Sequence, residues 1–150
     1  MDFFARRMLY RDALLSFIRK ESDLYLLTDM PGNIGDHLIC AGTTELLVSG
    51  NIQFKDMPVG DVANATRKRG TLLIPGSGAF DRRWHEWLPD TVLAASNNFG
   101  RVIILPSSYD VSVPVMTRSL SQRNVYPFAR QGSAAGSQGR RRQLARFRGR

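Results

Sequence analysis

The stretch LYLLTDMPGNIGDHLI, residues 24–39, joins an apolar run to a turn rich in glycine and polar residues. Leu24 to Thr28 is a short apolar segment between polar flanks, which is typical of a buried β-strand. Pro31 to Gly35 supplies turn residues, and apolar side chains recur at helical spacing beyond them. The stretch therefore predicts a buried strand, a tight turn and a helix over residues 36–48.

Apolar strands and helices continue to alternate on both sides of this stretch. Further strands are predicted over 52–54, 71–75 and 101–106, and further helices over 2–20, 61–69 and 82–97. Pro89 is expected to divide the last helix because proline cannot donate an intrahelical hydrogen bond. This alternation predicts a Rossmann-like α/β domain whose parallel sheet has helices on both faces. Beyond Val115 the pattern weakens.

Composition restricts the classes of protein that the chain can belong to. A chain of 150 residues, 43% of them hydrophobic, suffices for one domain with a core. It shows neither an apolar run long enough to span a membrane nor the apolar centre of a signal peptide, so we expect a cytoplasmic protein. The single Cys40 cannot form an internal disulfide and reads as a small buried residue, and two distant histidines predict no metal site.

The formal charge of +8 is concentrated at the C-terminus. Residues 1–129 hold fourteen basic and thirteen acidic residues, a net charge of +1, whereas residues 130–150 hold seven arginines and no acid. We therefore expect a nearly neutral domain over residues 1–130 and a disordered tail over 131–150, rich in Arg, Gly and Ser. A nearly neutral body does not predict a specific nucleic-acid partner.

The turn after the first strand is a candidate ligand site, because parallel sheets bind ligands beyond the carboxyl ends of their strands. Its glycines would let a ligand approach the backbone, and the following helix would offer free N–H groups. Asp36 either caps that helix or accepts hydrogen bonds from sugar hydroxyls, and the local pattern leaves both open. His37 would lie in the first helical turn.

A second glycine turn, Gly76-Ser77-Gly78, follows the third strand, and the two turns would face one crevice. Next come side chains that offer cations and aromatic faces to a ligand or simply pack a helix, namely Arg82, Arg83, Trp84, His85 and Trp87. A third loop, 105–110, brings hydroxyls or is a plain turn. The glycine spacing matches neither nucleotide fingerprint, and no hydrolase triad is evident.

Together these motifs resemble the polysaccharide pyruvyl transferase family over roughly residues 22–130. The matching pieces are GNIGDHLICAGTTELL (32–47), NIQF (51–54), LLIPGSGAFDRRWHEW (72–87), RVIILPSSYD (101–110) and NVYPFAR (124–130). The resemblance implies the first domain of a two-domain fold similar to that of GT-B glycosyltransferases. By resemblance, the substrate-binding residues are Asn33, Gly35, Asp36, His37, Gly76, Ser77 and Gly78.

The resemblance also implies an activity. Family members transfer pyruvate from phosphoenolpyruvate to a sugar as a ketal in exopolysaccharide biosynthesis, without a further cofactor. The acceptor is a sugar or a lipid-linked oligosaccharide, which would bring the protein to the inner face of the membrane. The family's donor-binding arginine and catalytic histidine belong to a second domain, so no catalytic residue is assigned here. Many relatives read Gly-Gly-Gly-Asn where this chain has Pro75-Gly76-Ser77-Gly78.

The arginine tail is typical of a shifted reading frame, which predicts a truncated transferase that is inactive alone. Two other functions also stay open on the sequence. Alternatively, the chain is a non-catalytic Rossmann-like binding module whose tail engages anionic lipid or RNA. A third reading is a fragment of a glycosyltransferase that uses a nucleotide sugar, which nucleotide binding would stabilise.

Overall fold

A computed structural model describes residues 3–66, 70–78, 87–110 and 112–129, with residues 3–7 and 129 described by their backbone alone. Its centre is a five-stranded parallel sheet. The helices are α1 (Phe3–Ile18), α2 (Ile34–Ser49), α3 (Leu88–Asn98) and α4 (Pro114–Leu120), and a 3₁₀ helix spans Val59–Asp61. The strands are β1 (Leu24–Thr28), β2 (Lys55–Pro58), β3 (Thr71–Ile74), β4 (Arg101–Ser107) and β5 (Val125–Ala129).

The strand order is β2-β1-β3-β4-β5, and all neighbouring pairs are parallel. Successive side chains of a strand point to opposite faces, so each central strand contributes side chains to two hydrophobic cores, one on each face of the sheet. Leu26, Leu73 and Ile103 pack with residues of α1 and α2, whereas Leu72 and Val102 pack with residues of α3 and α4. Helices therefore cover both faces, which is the Rossmann-like α/β arrangement that the sequence predicts.

The second strand was predicted at the wrong position, and the helix predicted over 61–69 is not seen in the described part of that segment. The strand begins at Lys55, because Ile52 and Phe54 leave the sheet and pack against the core below α1 and α2. In place of a helix over 61–69, turns follow the 3₁₀ helix in the described residues, and 67–69 lie outside them. This segment has no repeating apolar face; Val62 is buried in the core, and Ala65 packs against it.

The remaining differences concern prolines and the C-terminal part. Pro89 lies in the first turn of α3 and does not divide it, since proline loses no intrahelical bond there. The predicted helical residues 82–86 lie outside the described residues, as does the tail predicted to be disordered. Beyond Val115, where the pattern weakens, the structure has most of α4 and then β5.

Both outer strands contain a proline. Pro58 in β2 pairs with Thr28, and Pro127 in β5 pairs with Ile104. Proline has no N–H to donate and within sheets is confined largely to edge strands. Within the described chain, no helix has the length and hydropathy needed to cross a membrane.

The amino ends of the strands are joined by a group of side chains that we call the amino-edge cluster: Phe17, Glu21, Thr71, Arg101 and Tyr126. The Glu21 carboxylate accepts a hydrogen bond from Thr71 Oγ1 at 2.7 Å and pairs with the Arg101 guanidinium. That guanidinium lies 4.3 Å from the Tyr126 ring centroid and 5.3 Å from that of Phe17. The cluster thus ties the start of β1 to β3, β4 and β5.

Candidate functional site

The sheet topology selects one place for a ligand. From β1 the chain crosses to β2 on one side, and from β2 it returns past β1 to β3 on the other side. The loops after β1 and β3 therefore diverge, and in sheets of this strand order ligands bind at that switch point. Both glycine turns singled out in the sequence lie there.

The turn after β1 is closed by a capping box. Asn33 is the N-cap of α2, and its Oδ1 accepts hydrogen bonds from Gly35 N at 2.8 Å and Asp36 N at 3.4 Å. Asp36 Oδ2 in turn accepts one from Asn33 N at 3.1 Å. The expectation of free N–H groups here is therefore wrong for Gly35 and Asp36, because the chain's own side chain satisfies them.

The second turn bonds directly to this cap. Ser77 Oγ donates to Asp36 Oδ1 at 3.0 Å, and Ser77 N donates to Ser107 Oγ at 3.1 Å. A Cβ on Gly76 would lie 2.4 Å from the Pro106 carbonyl oxygen, so only glycine fits there. The loops after β1 and β3 thus meet the end of β4 in what we call the switch-point site, defined by Asn33, Asp36, Gly76, Ser77 and Ser107.

The other predicted site residues surround this contact. His37 and Gly78 are exposed, Gly35 is half-buried, and Ile39 lies beside Gly76. Ser77 is buried, with 4% of its surface accessible, and its hydroxyl is bonded to Asp36. Asp36 remains half-buried, and a carboxylate oxygen that accepts one bond keeps capacity for another.

Close packing, and not an unusual backbone conformation, explains why residue 32 in the first turn is a glycine. A Cβ on Gly32 would meet the Asp36 carboxylate at 2.5 Å. Neither Gly32 nor Gly35 adopts the left-handed conformation that their residue type permits. That conformation occurs at Asp29, with φ of 53°, where the chain leaves β1.

Among the described residues, the carboxyl edge of the sheet carries several acidic side chains. Aspartates lie in the described parts of the loops after β1, β2 and β4, in β2 and in the first turn of α2: Asp29, Asp36, Asp56, Asp61 and Asp110. The described parts of the loops after β1 to β4 contain no lysine or arginine. Beyond β2 lies an open groove of about 340 Å³, lined by Asp56, Met57, Pro58, Asp61, Asn64, Ala65 and Thr66.

Burial and two of these aspartates also affect Cys40. Cys40 is half-buried in α2, not fully buried as expected, with its Sγ 4.0 Å from the Leu27 carbonyl oxygen. Burial, and then the charges of Asp29 and Asp56, raise the pKa of the Cys40 thiol above its usual value. No group of three or more potential metal ligands occurs within the described residues.

Part of the predicted site lies outside the described residues. This holds for Arg82, Arg83, Trp84 and His85, whereas Trp87 is half-buried and packs against the core beside α3. Sequence reasoning noted the hydroxyls of the third loop but did not connect them with the second. The available signal was Ser107, a hydroxyl residue directly after the predicted apolar strand 101–106.

Comparisons with known proteins bear on the fold alone. The sequence matches no protein-family profile and no curated protein. A functionally uncharacterized protein from Klebsiella pneumoniae subsp. pneumoniae has a similar crystal structure, with a TM-score of 0.54 and 16% identity over 82% of this chain. This chain spans 54% of that protein's length. The class defined by fold and topology is a Rossmann-like α/β domain with its candidate site at the switch point.

Proposed function

We propose that the chain is the acceptor-binding part of a pyruvyl transferase-like enzyme of exopolysaccharide biosynthesis. Its switch-point site and the neighbouring groove hold the sugar that receives pyruvate. Phosphoenolpyruvate, the donor, is bound by a separate domain of such an enzyme. The activity of the 150-residue chain alone is then expected to be nil.

The observation that carries this proposal is the Asp36–Ser77 contact within an acidic edge. Phosphoenolpyruvate carries several negative charges, so the aspartates described at this edge would repel it. A sugar is neutral, and its hydroxyls donate well to carboxylates. The acidic edge therefore favours an acceptor over a donor.

The capped helix supports the same choice. A phosphate at a helix N-terminus binds to unpaired backbone N–H groups. In α2 the N–H groups of Gly35 and Asp36 are bonded to Asn33 Oδ1. A nucleotide sugar, which would place a pyrophosphate there, is therefore disfavoured relative to a simple sugar.

Saturation-transfer NMR with methyl glycosides of galactose, glucose and mannose tests this proposal. We expect signal transfer to at least one glycoside and none to phosphoenolpyruvate or uridine diphosphate. Asp36→Asn removes the charge with little change in shape and should weaken the sugar signal at least several-fold. Asp23→Asn changes an exposed aspartate at the opposite edge and serves as the matched control.

Each possible result of this binding experiment leads to a different conclusion. Binding of phosphoenolpyruvate in place of sugars would overturn the assignment to the acceptor side. Binding of uridine diphosphate would favour the nucleotide-sugar glycosyltransferase. If sugar binding survives Asp36→Asn while only the unfolding temperature falls, Asp36 is a helix cap and no more. If none of the probes binds, the non-catalytic binding module is favoured.

A further inference from the structure

Strand β4 contains an extra residue relative to β5 close to its carboxyl end. Ile104 pairs with Pro127 of β5. The next pair is Ser107 with Ala129, so three steps along β4 match two steps along β5. Such a β-bulge is rare between parallel strands, and bulges often re-aim a side chain next to a functional site. This bulge lies directly before Ser107, whose hydroxyl belongs to the switch-point site.

The bulged end of β4 packs against the loop after β3. Within the bulge, the Pro106 carbonyl oxygen lies where it would collide with a Cβ on Gly76. Ser107 follows and is buried, with 7% of its surface accessible. Its Oγ accepts a hydrogen bond from Ser77 N at 3.1 Å. The strand end therefore holds the backbone of the second glycine turn at two successive residues.

The partners of Ser107 fix the direction of its hydrogen bonds. A hydroxyl has one proton to donate, and that of Ser107 goes to the Leu105 carbonyl oxygen at 2.9 Å. The Ser107 oxygen is thereby presented as an acceptor, which the N–H of Ser77 requires. Alanine at position 107 would take this acceptor away from a buried N–H group, which is costly.

Ser77 connects this arrangement to the Asp36 carboxylate. The Ser77 hydroxyl donates to Asp36 Oδ1 at 3.0 Å, while Asp36 Oδ2 accepts from Asn33 N at 3.1 Å. Each of the two glycine turns thus holds one carboxylate oxygen, and together they fix the orientation of the group. Either oxygen can accept a further hydrogen bond, and half-buried Asp36 remains partly accessible.

We propose that Ser107 is a positioning residue, which acts through Ser77 to orient the Asp36 carboxylate toward the hydroxyl groups of the acceptor sugar. The inference rests on the proposed function, because that sugar is the ligand assigned to Asp36. Hydrogen bonds weaken steeply with poor alignment, and a group that must first be ordered binds less tightly. A carboxylate released from Ser77 is therefore expected to bind the sugar less well than the fixed one.

Carbon-13 NMR of the Asp36 carboxylate, recorded without sugar, tests the structural step. Ser107→Ala should shift this signal, and Ser107→Thr, which keeps a hydroxyl, should restore it. The matched control is Ser119→Ala, since Ser119 is also buried and donates to the Met116 carbonyl oxygen at 2.9 Å. It should leave the Asp36 signal unchanged. Equal responses to the two alanine variants would overturn the proposal.

Saturation-transfer titrations with the methyl glycosides of galactose, glucose and mannose test the effect on binding. Ser107→Ala should weaken the binding of a glycoside at least about threefold, while Ser119→Ala leaves it unchanged and Ser107→Thr restores it. In the Asp36→Asn background, Ser107→Ala should have little further effect, because both changes act on one carboxylate. Circular dichroism of each variant establishes that the fold is kept.

The possible failures of these titrations are distinguishable. Glycoside binding that survives Ser107→Ala while stability falls would make Ser107 a purely structural residue. Fully additive effects of Ser107→Ala and Asp36→Asn would show that Ser107 acts elsewhere than on the carboxylate. Either result overturns this inference and leaves the proposed function standing. If the unsubstituted chain binds none of the three glycosides, the proposed function fails, and this inference fails with it.

Discussion

The two ends of the sheet use similar polar residues in different ways. At the amino ends, Glu21 is 7% exposed along its side chain, and its carboxylate is held by Thr71 and Arg101. At the carboxyl ends, Asp36 is half-buried and bonded to Ser77, while Asp29 and Asp61 are exposed. Buried polar groups that satisfy one another stabilise the fold, whereas accessible ones remain available to a ligand. The contrast assigns a structural role to the amino edge, and it supports our proposal that a ligand binds at the carboxyl edge.

The largest expected effect follows from loss of the guanidinium in the amino-edge cluster. Arg101→Met leaves the Glu21 carboxylate buried without its cation, and we expect about 3 kcal/mol less stability in urea unfolding. Lys55→Met is the control, because Lys55 pairs with Asp23 while both side chains are more than half exposed. It should cost less than about 1 kcal/mol. Similar losses in the two variants would contradict a structural role for the cluster.

A smaller effect is expected at the carboxyl edge, from backbone packing. Gly76→Ala places a Cβ against the Pro106 carbonyl oxygen, so the loop after β3 must move away from the end of β4. We expect a loss of about 2 kcal/mol in urea unfolding. Gly42→Ala has no atom within 4 Å of the added methyl and should stabilise α2 by roughly 0.5–1 kcal/mol. No change in stability for Gly76→Ala would mean that these two segments move apart freely.

Next in size is the cap of α2. Asn33→Ala removes the acceptor for the N–H groups of Gly35 and Asp36, with an expected loss of about 1 kcal/mol. The measurement is thermal unfolding monitored by circular dichroism. Asn97→Ala, on an exposed position of α3, is the control and should be nearly neutral. If sugar binding persists in Asn33→Ala while stability falls, the cap and the ligand contact are separate roles.

The smallest expected effect is a change in the reactivity of Cys40. Burial and then the charges of Asp29 and Asp56 raise the pKa of its thiol, so less thiolate is present at mildly alkaline pH. Iodoacetamide should therefore react more slowly with the folded chain than with the chain in urea. Asp29→Asn should increase the folded rate modestly. No increase would show that burial alone suppresses the reaction and that the edge exerts little potential there.

The sequence predicted the fold class, since alternating apolar runs such as Leu24–Thr28 have a local signature. It failed where tertiary contacts decide, as at Ile52 and Phe54, which are apolar like a strand but pack outside the sheet. In the site, the two glycine turns were predicted to lie close together and face one crevice. The structure brings them into contact through Ser77 and Asp36. The bond from Ser77 to Asp36 spans 41 residues, and no local pattern encodes such a distance.

The prolines in the two outer strands bear on how the molecule avoids growing into fibres. A flanking strand normally presents a row of free N–H and C=O groups on which another chain can template itself. Pro58 and Pro127 interrupt that row at both flanks of the sheet, because neither can donate. Each proline therefore removes one donor from an outer strand, which disfavours open-ended addition of further strands there.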